Sequence, residues 1–354
     1  MSIDITDHLV VNALGVLDNP NVSSSSALVQ TSEQLTIDAR TLADAHASGV
    51  TAINVTLGYT MGDFPPYEHT LREIGTWDSI IRENHEHLVR IDTAEDIAEA
   101  KRTGRIGIIY GFQNAAAAED RPERVATFAG LGVRVIQLTY NQANQIGDGS
   151  MAPANRGLTP LGREVVAALN EHRVMVDLSH SGERTCLEAA RVSSQPISIN
   201  HTGCRALVDL PRNKTDEELR LVAERGGFVG IYFMPFLNAS GHAGAADVVE
   251  HIVHAVNVCG EDHVGIGTDG TITAIDDLDA YQDQLAEQVA RRQAAGASAA
   301  GERSDTYPFV VDLRGVDQFR KLARLLEERG YSSARIEKIL GRNFYTYAKA
   351  VWGN

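Results

Sequence analysis

Residues 174–213 read VMVDLSHSGERTCLEAARVSSQPISINHTGCRALVDLPRN, and this stretch decides the fold. Two short apolar runs, VMVDLS and PISIN, each stop at a histidine, His180 and His201. Between them, from Glu183 to Ser193, Leu187, Ala190 and Val192 mark a helical pattern. Strand, helix, strand is a βαβ unit, and its two strands must be parallel. Parallel neighbours end at one edge of a sheet. The two imidazoles are therefore expected side by side on the rim where α/β enzymes build their sites. One such histidine is ordinarily a strand cap bonded to backbone. Two at equivalent ends of consecutive strands read as a pair able to share a metal, commonly zinc.

Outward from this unit, apolar Val/Ile-rich runs recur at 8–17, 50–58, 104–113, 133–140, 174–180, 196–201, 228–234 and 263–269. Near-continuous apolar runs are what strands buried on both faces look like. Helical patterns fall between them, at about 31–49, 76–86, 94–103, 121–131, 159–171, 183–193, 215–225, 244–259 and 315–329. The first opens with a Thr31-Ser32-Glu33-Gln34 capping box and ends at Gly49. Strand followed by helix, eight times over, is a (β/α)8 TIM barrel. A doubly wound open sheet would need a glycine-rich phosphate turn after the first strand, where the chain has GVLDNP at 15–20. Residues 270–314 interrupt the last βα unit. Within them, the Ala/Arg/Gln-rich stretch from Ala286 to Ser304 reads as a surface helix and a mobile loop at the barrel mouth, a lid or a homodimer contact. Extra C-terminal helices follow, with Ile336, Ile339, Leu340 and Phe344 at packing spacing. No break divides the chain, so residues 1–354 are expected to form a single barrel domain.

The formal net charge of -15 argues against nucleic acid and anionic membranes as partners, because their phosphates want Lys and Arg. No segment approaches the roughly 20 apolar residues of a membrane span. Cys186, Cys204 and Cys259 are an odd number without a CxxC, which favours packing roles in a reducing compartment. The N-terminus has no basic region ahead of its apolar run. A cytoplasmic protein acting on a small molecule is the expectation.

A barrel carries its reactive groups on the last residues of its strands. Those ends hold Leu14 and Val16, then Gln113, Tyr140 and Asn141, His180, His201 and Asp269. The block DLSH at 177–180, His201 and the PRN at 211–213 together resemble the membrane (renal) dipeptidase family. The segments LGVRVIQLTYNQAN at 131–144, HVGIGTD at 263–269 and RIEKILGRNFYTY at 335–347 extend that resemblance over nearly the whole chain. It implies a zinc-dependent dipeptidase on a (β/α)8 fold. His180 and His201 match the two histidines that hold one zinc. Arg212 matches an arginine that grips the substrate carboxylate, and Asp269 an aspartate near the substrate amine. The family's His-x-Asp on strand one falls at Leu14 and Val16, its metal-bridging glutamate at Gln113, and its oxyanion-side histidine at Tyr140.

These departures point to at most one zinc, on His180 and His201, with Asp269 as the third ligand or as the base. The expected activity is hydrolysis of an amide in a small substrate with an anionic group. Arg212 and Asn141 would bind that substrate, and Asp269, Tyr140 and Gln113 would flank the reacting centre. The alternatives are a metal-free lyase or isomerase using His180, His201 and Asp269 as acid–base groups, and a non-catalytic small-ligand binder. Asp177, of opposite strand parity to His180, is expected to face the helices. His85, His87, His172, His251, His254 and His263 are expected at the surface.

Overall fold

The eight apolar runs fold as eight strands in the computed structural model, which describes residues 4–22, 32–294 and 298–353. They are β1 (Val11–Gly15), β2 (Ala52–Thr56), β4 (Ile106–Phe112), β5 (Val133–Gln137), β6 (Met175–Asp177), β7 (Ser198–Thr202), β8 (Phe228–Ile231) and β9 (Val264–Ile266). Every neighbouring pair is parallel, in the order β1-β2-β4-β5-β6-β7-β8-β9. β9 returns to β1 through bonds just past the strand ends. Asp269 N–H donates to Leu14 O at 2.9 Å and Val16 N–H to Gly270 O at 3.0 Å. The Asn12 side chain completes the seam, donating to Thr268 Oγ1 at 2.9 Å and accepting from Thr268 N–H at 2.8 Å. The result is a nearly closed (β/α)8 barrel. Its interior is narrow where strands approach: a Cβ at Gly230 or at Gly267 would lie 2.0 Å from the Asn200 carbonyl oxygen. Both glycines are needed for that approach.

One strand has no run in the sequence. β3 (Leu88–Arg90) is three residues long and pairs with the start of β4. Only Leu88 of the three is buried, so no apolar run announces it. Helices α1 (Ala39–Ser48), α2 (Pro66–Glu83), α3 (Ala94–Thr103), α4 (Arg124–Gly130), α5 (Pro160–Glu171), α6 (Glu183–Val192), α7 (Asp216–Glu224) and α8 (Ala245–Cys259) cover the strands. The first starts later than its pattern. Thr31 lies outside the described residues, and Ser32–Gln34 is one 3-10 turn. Residue Thr36 is held by bonds to Asp18 and Asn19, so α1 begins at its N-cap Asp38, which accepts from Thr41 N–H at 2.9 Å. By contrast α2 begins earlier than its pattern, at a proline whose fixed φ suits a first helical turn.

The insertion after β9 forms α9 (Leu278–Ala294), which lies over the mouth and buries Leu285 and Val289. After α10 (Gln318–Glu328) come α11 (Ser333–Glu337), a π-helical turn at Lys338–Arg342 and α12 (Asn343–Trp352). They close the opposite end, where Phe228 meets Phe344 edge-on at 5.3 Å and stacks on Tyr347 at 6.1 Å. Among the described residues no helix is long and apolar enough to cross a membrane.

Candidate active site

The site is built at the ends of β6 and β7. Those strands register at Asp177 and Ser198, and beyond that point side chains replace carbonyls as acceptors. Asp177 Oδ1 accepts from Asn200 N–H at 3.0 Å, from Ser179 N–H at 3.0 Å and from the Ser179 hydroxyl at 2.5 Å. Ser179 Oγ in turn accepts from His201 N–H at 3.0 Å. Asp177 thus ties the ends of the two strands together. Burial pushes its carboxyl pKa up, against the pull of these donors and of Arg212. The staple fixes His180 and His201 together: their Nε2 atoms are 3.0 Å apart.

The partners settle the tautomers. Asn141 Oδ1 lies 2.7 Å from His180 Nδ1, and an amide oxygen only accepts. His180 therefore carries its proton on Nδ1 and presents a bare Nε2, to which His201 Nε2–H donates. His201 Nδ1 is then the bare nitrogen, and it is buried without a partner. Burial, reinforced by Arg212, holds both imidazoles neutral, with pKa values well below the usual range. Asn141, expected to contact substrate, lines the same cavity as His180 and also orients its ring. Tyr140 stacks on the His180 ring with centroids 4.4 Å apart.

Three cations surround the pair. Arg212 is only 2% exposed and donates to the Ser179 carbonyl. Among the described residues no carboxylate lies within ion-pair distance of it. Asp209 pairs instead with Arg205 at 3.8 Å, and Asp216 with His254 at 2.7 Å. Lys214 pairs with Glu218, 3.2 Å away and equally buried, and its field still reaches both imidazoles. Arg292 reaches in from α9 beside Tyr140, while also pairing with Glu302 at 2.9 Å. The sequence reading missed Arg292 because an Ala/Arg/Gln-rich stretch looks like a solvated face. Its signal is the spacing of Leu285, Val289 and Arg292, which puts all three on one side of the helix.

Asp269 follows β9 with a left-handed φ of 57°, a conformation an aspartate tolerates better than most residues. Burial raises its pKa to about 6, and Arg212 and Arg292 restrain the rise. Tyr140, His180, Arg212, Asp269 and Arg292 share the wall of one cavity of about 220 Å³. Gln113 stands apart from it, donating to Thr56 Oγ1 at 2.7 Å. It lines a second chamber with Leu14 and Val16.

Residues 11–301 match the family model of the membrane dipeptidases (peptidase family M19). The chain belongs to this family. A dipeptidase of Claviceps purpurea, tcpJ, is 28% identical over 278 residues, which cover 77% of this chain and 58% of that protein. The chain thus spans less than two thirds of that relative's length. An amidohydrolase from Pseudomonas aeruginosa is 31% identical, with a TM-score of 0.80 over 99% of this chain and 98% of the other. A metallo peptidase from Rhodobacter sphaeroides, solved with a phosphinate mimic of the dipeptide L-Ala-D-Ala, shares the fold at 19% identity, with a TM-score of 0.75 over 98% and 99% of the two chains.

Membrane dipeptidases are metallopeptidases, so the donor set here must be weighed against two zinc ions. Such a centre concentrates about four positive charges and needs anionic ligands. Leu14 and Val16 offer no donor, and Gln113 offers a neutral amide. Among the described residues no three His, Cys, Asp or Glu side chains converge as ligands. A metal on His201 Nε2 would move that ring's proton to Nδ1, where nothing accepts it, whereas metal-bound histidines almost always have such an acceptor. The fields of Arg212 and Lys214 add repulsion. Leu14, Val16 and Gln113 do not supply the anionic donors that a second metal would need.

Proposed function

We propose that this membrane dipeptidase homologue hydrolyses an amide bond in a small substrate that carries a free carboxylate. The observation that carries the reading is Arg212. A buried guanidinium with no carboxylate partner is costly to keep, and it opens on the same cavity as Asp269 and Tyr140. Arg212 binds the carboxylate through its planar fork. Asp269, ionised above its pKa of about 6, takes a proton from water as the oxygen attacks the amide carbon. Tyr140 and Arg292 donate to the oxygen that becomes negative. The C–N bond then breaks, and the proton held by Asp269 passes to the leaving nitrogen.

A panel of dipeptides and N-acyl amino acids, each with its carboxyl-amidated counterpart, tests this by mass detection of products. Cleavage of the free acids with little or none of the amides is expected. Rearranged or eliminated products would replace the reading with a lyase or isomerase, and binding without product would leave a small-ligand receptor.

The 3.0 Å approach of the two Nε2 atoms favours a second reading, in which the histidine pair takes up one divalent ion, zinc by family analogy. Protein purified without chelator should hold at most one metal ion per chain by elemental analysis. Activity that survives exhaustive chelation supports the metal-free route, and activity lost to chelator and restored by zinc supports the second reading. Two ions per chain at near-full occupancy would overturn both.

A further inference from the structure

The second chamber has no role in the chemistry above. It measures about 210 Å³ and is walled in part by Leu14, Val16 and Gln113, the positions at which the family resemblance places first-metal ligands. Leu14, Val16, Leu17, Leu35, Val55 and Trp77 line it, with Ser32, Thr56, Thr60 and Gln113 adding polar atoms. Among the described residues no charged side chain stands on its wall away from the shared rim. Some of its polar groups are engaged. Gln113 donates to Thr56 at 2.7 Å, and the Ser32 hydroxyl bonds Glu73 from outside the chamber wall. The rim is formed by Tyr140, Asp269 and Arg292, which also line the 220 Å³ cavity. Arg212 lines that cavity and not the chamber. The two spaces therefore meet at the reacting centre, with the carboxylate anchor on one side and the Leu14–Val16 chamber on the other.

We propose that this chamber is a subsite for an apolar substituent on the acyl side of the scissile amide, of isobutyl to benzyl size. The proposal rests on the amide hydrolase reading above, which supplies the direction of the substrate. Size is set by volume: an apolar cavity of about 150 Å³ already holds a benzene ring. Polarity is set by the residues themselves. Leu14 and Val16, which stand where the family resemblance places an imidazole and a carboxylate, make that part of the wall hydrocarbon, which water wets poorly. An apolar group that enters from the reacting centre covers this surface. The same exchange that unfits the chamber for a metal thus fits it for a hydrocarbon.

The test uses 4-oxo acids, in which a methylene replaces the amide nitrogen so that nothing can be cleaved. The ketone carries methyl, isobutyl or benzyl, and the carboxylate is constant. Calorimetric affinity should rise by about fourfold for each methylene buried. Val16→Phe fills the chamber and should flatten the series. Val16→Ala enlarges it and should move the preference from isobutyl toward benzyl, which keeps the test alive if the larger residue does not fold. An affinity that is flat in the unaltered protein, or a gradient untouched by both substitutions, overturns the subsite. The two proposals separate cleanly. A gradient of binding with no amide cleaved removes the hydrolase and keeps the subsite, while cleavage without a gradient does the reverse.

Discussion

Asp269→Asn should lower kcat by about 100- to 10,000-fold, the usual worth of a general base, and should raise the melting temperature at neutral pH. The pairing of those two effects is what makes the substitution informative. An unfolded aspartate titrates near 3.8, and burial raises the folded value to about 6. Between those two values the folded chain holds more proton than the unfolded chain, so this group makes stability fall as pH rises. Its contribution is neutral below the unfolded value, grows more adverse up to about 6, and is constant above. Asparagine carries no such titration. The gap in melting temperature between variant and wild type should therefore widen from about pH 4 to about pH 6 and then stay level. The rate of the wild type should climb with pH toward a plateau above about 6, as the base ionises, and the variant should lose that limb. A variant that melts lower and turns over normally would make Asp269 a structural residue and remove the proposed base.

The barrel was legible because buried parallel strands leave continuous Val/Ile runs, and the histidine pair was legible because those runs end on it. What escaped did so for local reasons. The strand at Leu88–Arg90 is too short and too exposed to make a run. His251 was expected at the surface of α8 and is buried. Its Nδ1 accepts from Cys204 N–H at 2.9 Å and its Nε2–H donates to Leu237 O at 3.0 Å. A histidine with both nitrogens satisfied by backbone packs like an apolar residue, and burial takes its pKa down to about 4. Arg292 came from a stretch whose composition conceals a sided helix. The altered first-metal positions could be noticed only through family resemblance, since Leu14 and Val16 by themselves look like any strand end.

Arg212→Lys should weaken the binding of 4-oxopentanoate by about 5- to 150-fold, equivalent to about 1–3 kcal/mol for charge-assisted hydrogen bonds, and leave the fold intact. Lysine is the right replacement because it keeps the positive charge. The field that depresses His180 and His201 and restrains Asp269 is then largely preserved. What disappears is the planar fork, which can hold a carboxylate by two parallel bonds where an ammonium offers a point charge. The loss therefore reports on carboxylate geometry more than on electrostatics. The competing role is structural. Arg212 donates to the Ser179 carbonyl, and its guanidinium carbon lies 5.9 Å from the centre of the Tyr232 ring. If those contacts are its purpose, lysine should lower the melting temperature and leave affinity alone. The missing carboxylate partner decides between them: Asp209 and Asp216, the acids nearest in sequence, are engaged by Arg205 and His254. Asp269 and Asp177 feel the field of Arg212 without reaching ion-pair distance, so the fork itself is open to an incoming carboxylate. Affinity and melting curves measured on the same variant settle the matter, and unchanged affinity with a lowered melting point would take Arg212 out of the site.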